Sequence, residues 1–278
     1  MAALPISSGS KIERNKARIT MNDTDILRVF LNLPLGKSDE VFDKFARIPG
    51  AVRRGSGLEQ FLFIEGDRPN RVMLVAHADT YWDEHYGGNG NKPQELIQQN
   101  GIVLNKNGGL GADNRAGCAI IWLLREMGHS ILITNGEERG RTGSRWLMNE
   151  NHDIADTINL GHQFVVQLDR RNAKDFKCYS VGTDKFRTYI SQATGYSEPD
   201  RSSCTDIVTL CRDICGVNLS IGYHNEHGED EHLVVSEWQN TLNICRKWLS
   251  ESELPHFGLK KITPKNSPIL SSADRLYP

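Results

Sequence analysis

Short apolar runs of strand length alternate along this chain with segments whose apolar residues recur at helical spacing. Residues 61–64 and 71–76 are the first two such runs; the second, unbroken by polar alternation after Arg71, predicts a central strand buried on both faces. Residues 131–134, 164–168 and 217–221 predict three more strands. Between them, residues 114–127 place Ala116, Ile120, Leu123, Leu124 and Met127 on one helical face, and Gly128 supplies a stop. A short helix is expected over 23–30, where Asn22 or Asp23 can cap it, and a further turn over 41–45. Residues 144–148 open a helix, 205–215 form another, and 234–249 form a last one with Val234, Trp238, Leu242, Cys245 and Leu249 facing inward. This alternation predicts an α/β protein: a three-layer α/β/α sandwich with a mixed, mainly parallel central sheet.

Patterning fails at both ends. Residues 1–20 are polar, basic and unpatterned and are expected to be a mobile arm; residues 251–278 carry Pro255, Pro264, Pro268 and Pro278 and cannot be one regular element. With no internal repeat or linker-like stretch between, residues 21–250 are expected to form a single domain. A length of 278 residues, 38% of them hydrophobic, allows a substantial core. The 33 Lys and Arg against 35 Asp and Glu leave a net charge of −2, which excludes long-range attraction to nucleic acid or an anionic membrane. No apolar stretch suits a signal peptide or approaches the roughly 18 residues of a membrane span, so the chain reads as a soluble cytoplasmic protein. The six cysteines are scattered without a Cys-x-x-Cys pair and are expected to be free, mostly buried thiols.

In α/β sheets, sites form at the carboxyl ends of the strands. Here each such end carries groups suited to a divalent metal. The run to Ala76 continues into His77-Ala78-Asp79, the run to Thr134 into Asn135-Gly136-Glu137-Glu138, and the run to Leu168 into Asp169. The last strand leads into Gly222-Tyr223-His224-Asn225-Glu226-His227, and Gly109-Leu110-Gly111-Ala112-Asp113 stands just before a helix. Alone, a His-x-Asp is usually a surface pair, and adjacent glutamates are usually a solvated turn. Together, two imidazoles and several carboxylates without thiolates suit catalytic zinc, and they exceed one site. They fit two metals roughly 3.5–4 Å apart that share a carboxylate.

These segments resemble the co-catalytic zinc peptidases, which include bacterial leucine aminopeptidases, peptidase T and aminoacylases. The resemblance covers residues 58–250 and rests on His77-Ala78-Asp79, Gly111-Ala112-Asp113-Asn114-Arg115-Ala116-Gly117, Glu137-Glu138-Arg139-Gly140, Asp169-Arg170-Arg171 and Gly222-Tyr223-His224-Asn225-Glu226-His227-Gly228, in family order. It implies that His77, Asp113 and Asp169 hold a first zinc ion and Asp113, Glu138 and His227 a second; Co2+ or Mn2+ could occupy the same donors. Asp79 would accept a hydrogen bond from the other ring nitrogen of His77. Glu137 would be the general base toward a metal-bridging hydroxide, and the bond after the bridging Asp113 is often cis in this family. His224 and His227 follow the same strand and compete as ligand, but the family spacing Gly-Tyr-x-x-x-His selects His227 and leaves His224 to the pocket. Gly228 departs from the family, where Ser or Thr is commoner. No insertion after Asp169 is long enough for the lid and dimerisation domain of the aminoacylase branch, which implies a compact architecture.

Arg170 and Arg171 could clamp a substrate carboxylate or simply balance charge. Asp206 stands where a helix begins, which suits a cap, although the resemblance also allows it a pocket role. Residues 81–107 read as one long loop that shapes a pocket or pairs with a partner. The expected function is a metal-dependent hydrolase of an amide bond in a small peptide, most simply an aminopeptidase. The alternatives are an amidase, deacylase or carboxypeptidase acting on an N-acyl amino acid or other conjugate, and a non-catalytic binding protein that keeps the peptidase fold.

Overall fold

The computed structural model describes residues 21–83, 94–199 and 204–259. The expected N-terminal arm, 1–20, and the end of the tail, 260–278, lie outside the described residues. Helices α1 (Asp23–Leu31) and α2 (Asp39–Phe45) come first. Asn22 starts α1 with a capping box: its side chain accepts the Asp25 N–H, and the Asp25 carboxylate accepts the Asn22 N–H. A hairpin of β1 (Val52–Ser56) and β2 (Glu59–Ile64) leads to β3 (Met73–His77). Then come β4 (Leu96–Gln99), β5 (Ile102–Asn105), α3 (Ala112–Leu124), β6 (Ser130–Thr134), α4 (Thr142–Glu150) and α5 (His152–Gly161). The remainder comprises β7 (Val165–Arg170), β8 (Phe176–Lys177), α6 (Asp184–Thr194), α7 (Asp206–Leu210), β9 (Gly216–Ser220), β10 (Tyr223–His224), β11 (His232–Val234) and α8 (Val235–Leu249).

The main sheet has seven strands in the order β1-β2-β6-β3-β7-β9-β8. Its centre, β6-β3-β7-β9, is parallel, and its edges are antiparallel. Every residue of β3 and of β6 is buried, because helices cover both faces. Pleating divides their side chains between two cores. Leu74, Ala76, Ile131 and Ile133 join the core under α1, α2, α3, α6 and α8, whereas Met73, Val75 and Leu132 join the one under α4, α5 and α7. The predicted three-layer arrangement is therefore present. No described helix is long and apolar enough to cross a membrane.

Several elements differ from expectation. The stretch 81–107 is not one loop: β4 and β5 form a hairpin across Asn100 and Gly101, both in the left-handed region (φ 50° and 79°), and join β10 and β11 in a separate four-stranded antiparallel sheet. Residues 84–93 of that stretch lie outside the described residues. The helix expected over 205–215 ends at Leu210. Asn159 Oδ1 takes the backbone N–H groups of Arg212 (2.7 Å) and Asp213 (2.9 Å) and draws the chain out of the helix toward β9. Polar α5 and α6 were not expected. Part of the tail packs on the domain: Leu254 and Phe257 are buried, and Phe257 donates its N–H to the Gln163 carbonyl while accepting that of Cys215.

Candidate metal centre

The parallel strands β3, β6 and β7 end side by side, so the residues that follow them share one edge of the sheet. His77 closes β3 and is 1% exposed. Its Nε2 lies 3.1 Å from Asp113 Oδ1 and 3.0 Å from Asp169 Oδ1. Its Nδ1 is 3.1 Å from the backbone carbonyl of Asp79, and the Asp79 carboxylate stands at 3.4 Å. With Nδ1–H donated to that carbonyl, Nε2 is left to face the site. Beside His77 Nδ1, the Asp79 carboxylate oxygens also accept the backbone N–H groups of Glu137 (3.2 Å) and Glu138 (3.1 Å), tying the turn after β6 to the end of β3.

Asp113 enters at the start of α3, where its φ/ψ of −80°, 98° departs from the helix and the Asp113–Asn114 peptide bond is cis, as the resemblance implied. Arg115, fully buried, secures this turn by donating to the carbonyls of Ala78 (2.5 Å) and Pro34 (3.2 Å). The two oxygens of Asp113 diverge: Oδ1 faces His77, and Oδ2 lies 3.5 Å from His227 Nε2. Glu138 Oε1 completes that second group at 3.0 Å from the same nitrogen. Ligand-type atoms of His77, Asp113 and Glu138 all lie within 4.8 Å of one another. Asp169 turns Oδ1 inward because Gln167 and Thr205 each donate to its Oδ2 at 2.9 Å. Tyr81 stacks on the His227 ring, with centroids 4.5 Å apart and planes inclined by 15°. Gln167 and Thr205 were not singled out in the sequence, since nothing local marks them, whereas Tyr81 opens the stretch expected to shape the pocket.

The chemistry of this donor set suits divalent ions. Each imidazole Nε2 faces oxygens of two different carboxylates, no thiolate intrudes, and Asp113 belongs to both groups. Nitrogen and oxygen donors so divided fit two hard-to-borderline divalent cations sharing one carboxylate. The concentrated negative charge shifts the proton affinities of the groups around it. Burial opposes a charge on His77, but Asp169 and Asp113 outweigh it and hold the imidazolium well above its usual range. Hydrogen bonds to Asp113 and Glu138 raise His227 to about 11. Burial, reinforced by the charges of Asp169, Asp206 and Asp113, pushes the Glu137 carboxyl well above its usual value.

No protein-family model and no curated protein matches the sequence. Solved structures match the fold. The aminopeptidase PepT from Bacillus cereus superimposes with a TM-score of 0.59 over 83% of this chain and 99% of its own, at 12% identity. A tripeptidase from Staphylococcus aureus gives 0.57 over 83% and 99% at 12% identity. An aminopeptidase from the archaeon Desulfurococcus kamchatkensis gives 0.56 over 82% and 95% at 11% identity. The chain has the co-catalytic zinc peptidase fold.

In this zinc-peptidase fold the remaining sequence candidates take separate places. Arg170 and Arg171 line the same cleft, of about 390 Å³, as Asp113, Glu137, Glu138 and Asp169. Arg170 pairs with Asp175 at 3.0 Å, and Arg171 pairs with Glu226. His224 is turned away, with Nε2 2.7 Å from Glu237 and its ring stacked on His232, and it does not line the cleft. Asp206 is fully buried and does not cap α7: its carboxylate accepts the hydroxyls of Thr134 and Ser144 (2.6 Å), joining the end of β6 to α4. That placement puts its charge near Glu137, where it helps raise the Glu137 carboxyl.

Proposed function

We propose that this chain hydrolyses an amide bond of a small peptide as a two-metal aminopeptidase. The observation that carries the reading is the division of Asp113, one oxygen toward His77 and the other toward His227, with each imidazole also facing a further carboxylate. His77, Asp113 and Asp169 would hold one divalent ion and Asp113, Glu138 and His227 the other, with zinc the best fit to these donors. When bound, the pair supplies Lewis-acid activation of water and of the amide carbonyl. The chain's own residues do the rest. Glu137, on the cleft wall beside Asp113, receives the proton of the attacking water on its carboxylate and returns it to the nitrogen of the leaving amine. Asp79 keeps Glu137 in place through the backbone N–H it accepts.

Arg170 and Arg171 on the cleft wall favour a second reading, in which a free substrate carboxylate is held beside the scissile bond and the chain is a deacylase or carboxypeptidase for N-acyl amino acids. The purified protein loaded with zinc separates the readings when assayed on aminoacyl amides and on N-acyl amino acids. Turnover of the amides supports the aminopeptidase, whereas turnover restricted to blocked amines overturns it in favour of the second reading. In the same assay Glu137→Gln is expected to retain two metal equivalents and to lose about 10²–10⁴-fold in kcat. Metal-loaded wild-type protein that cleaves no amide would instead identify a binding protein on this fold.

A further inference from the structure

The loop that delivers Asp113 is fastened to one buried carboxylate that has no part in the scheme above. Glu231 is 1% exposed and lies between His227 and β11. Its Oε2 accepts the backbone N–H groups of Leu110 (2.9 Å) and Gly111 (2.7 Å) and the indole N–H of Trp82 (3.3 Å). Its Oε1 accepts the backbone N–H of Asp113 at 3.1 Å. Among the described residues, these N–H groups are its hydrogen-bond partners. They take up the roughly four acceptor positions that a carboxylate offers.

Three segments that carry candidate ligands meet at this group. Trp82 follows the His77-Ala78-Asp79 turn, and its neighbour Tyr81 covers the His227 ring. Leu110 and Gly111 precede Asp113, and Glu231 itself follows His227. The junction has little slack. A Cβ on Gly109 would come within 1.9 Å of the Trp82 indole, and Gly111, at φ 66°, would bring a Cβ within 2.4 Å of Leu35. Asn105, at the end of β5, holds the Gly109 carbonyl at 3.0 Å. The start of α3 has no side-chain cap of its own, so Glu231 supplies from the far end of the chain the acceptor that the first turn lacks.

We propose that Glu231 is the positioning residue of the metal centre. By holding the N–H of Asp113 and those just before it, Glu231 sets the direction in which Asp113 presents one oxygen to His77 and the other to His227. The inference rests on the two-metal reading of the site. It differs from a mere loop latch in one consequence: because Asp113 is shared, disturbing Glu231 weakens both metal equivalents in parallel.

The test uses the full chain, titrated with Co2+ in competition with a chelator and followed by its visible absorption, for wild type, Glu231→Gln, Glu231→Asp and, as control, the exposed neighbour Glu229→Gln. The Gln variant keeps the shape but turns an N–H2 toward N–H donors. It is expected to bind both equivalents at least tenfold more weakly, with an altered cobalt band and a lower kcat at similar KM. Glu231→Asp, charged but shorter, falls between, and Glu229→Gln matches wild type. A folded Glu231→Gln with wild-type affinity and spectrum overturns the proposal and leaves the two-metal reading standing. Wild-type protein that takes up no Co2+ sinks both. If Glu231→Gln does not fold, hydrogen exchange on the wild type decides: Leu110, Gly111 and Asp113 amides should be strongly protected, and exchange at the rate of exposed amides refutes the hold.

Discussion

At the scale of single residues, the centre is built from buried charge that is oriented by hydrogen bonds. Gln167 and Thr205 hold one oxygen of Asp169 so that the other faces His77, and Asp79 holds the backbone of Glu137 and Glu138. Buried histidines elsewhere behave in the opposite sense to His77 and His227. His129 and His162, 3% and 2% exposed, hydrogen-bond to no carboxylate among the described residues, and burial lowers each from 6.5 to about 4. The unfolded chain therefore takes up these protons first on acidification. The contribution of these two histidines to stability should be complete above about pH 6.5 and fall toward pH 4 by about 1.4 kcal/mol per pH unit for each. Imidazole resonances followed by NMR should stay in the neutral form until about pH 4, and a midpoint near 6.5 for either ring would contradict this account.

Elements set the distances between these residues. Helix α3 must approach β7 closely for Asp113 and Asp169 to reach the same His77 nitrogen. Gly117 permits the approach: a Cβ there would lie 1.9 Å from the Leu168 carbonyl oxygen, a backbone atom that cannot rotate away. Asn114 then closes the turn by accepting the Gly117 N–H at 3.1 Å. Gly117→Ala is expected to destabilise the protein by about 1–3 kcal/mol through overpacking and to lower metal uptake, because α3 moves off the sheet. Urea unfolding together with metal analysis of the folded fraction checks both effects. Wild-type stability and metal content would show that the helix has room to spare.

Across the whole molecule, two cores on opposite faces of the sheet hold the strand ends in register, and the tail gives Leu254 and Phe257 to one of them while Leu259 packs against both. Phe257 packs against Phe186 and Tyr189 with ring centroids 5.0 and 4.9 Å away. Phe257→Ala should cost about 3–5 kcal/mol, read from the urea midpoint. The folded protein should keep its metal content, since this cluster lies under α6 and α8 rather than at the strand ends that carry the site. A site emptied by that substitution would mean that the tail supports the centre directly.

What the sequence alone determined was the framework: unbroken apolar runs that can only be central strands, and metal-type donors placed directly after them. Burial on both faces requires such runs, and parallel strands necessarily bring their ends to one edge. Alternation also marked α3 and α8; α5 and α6 are no less amphipathic, but they are shorter and were not read as helices. The Asn100-Gly101 turn was legible in principle as a hairpin, although the polar residues around it made the region read as loop. Only tertiary structure decided the direction of side chains. His224 and His227 follow the same strand, yet left-handed backbone at Asn225 and His227 carries the second toward Asp113 and Glu138 while the first meets Glu237. Asp206 reads locally as a cap but is claimed by Thr134 and Ser144, and Glu231 reads as one more surface acid yet fastens residues more than a hundred positions away. Such partners are chosen by which polar groups, side-chain or backbone, are left buried and unpaired once the layers close, and no local pattern contains that information.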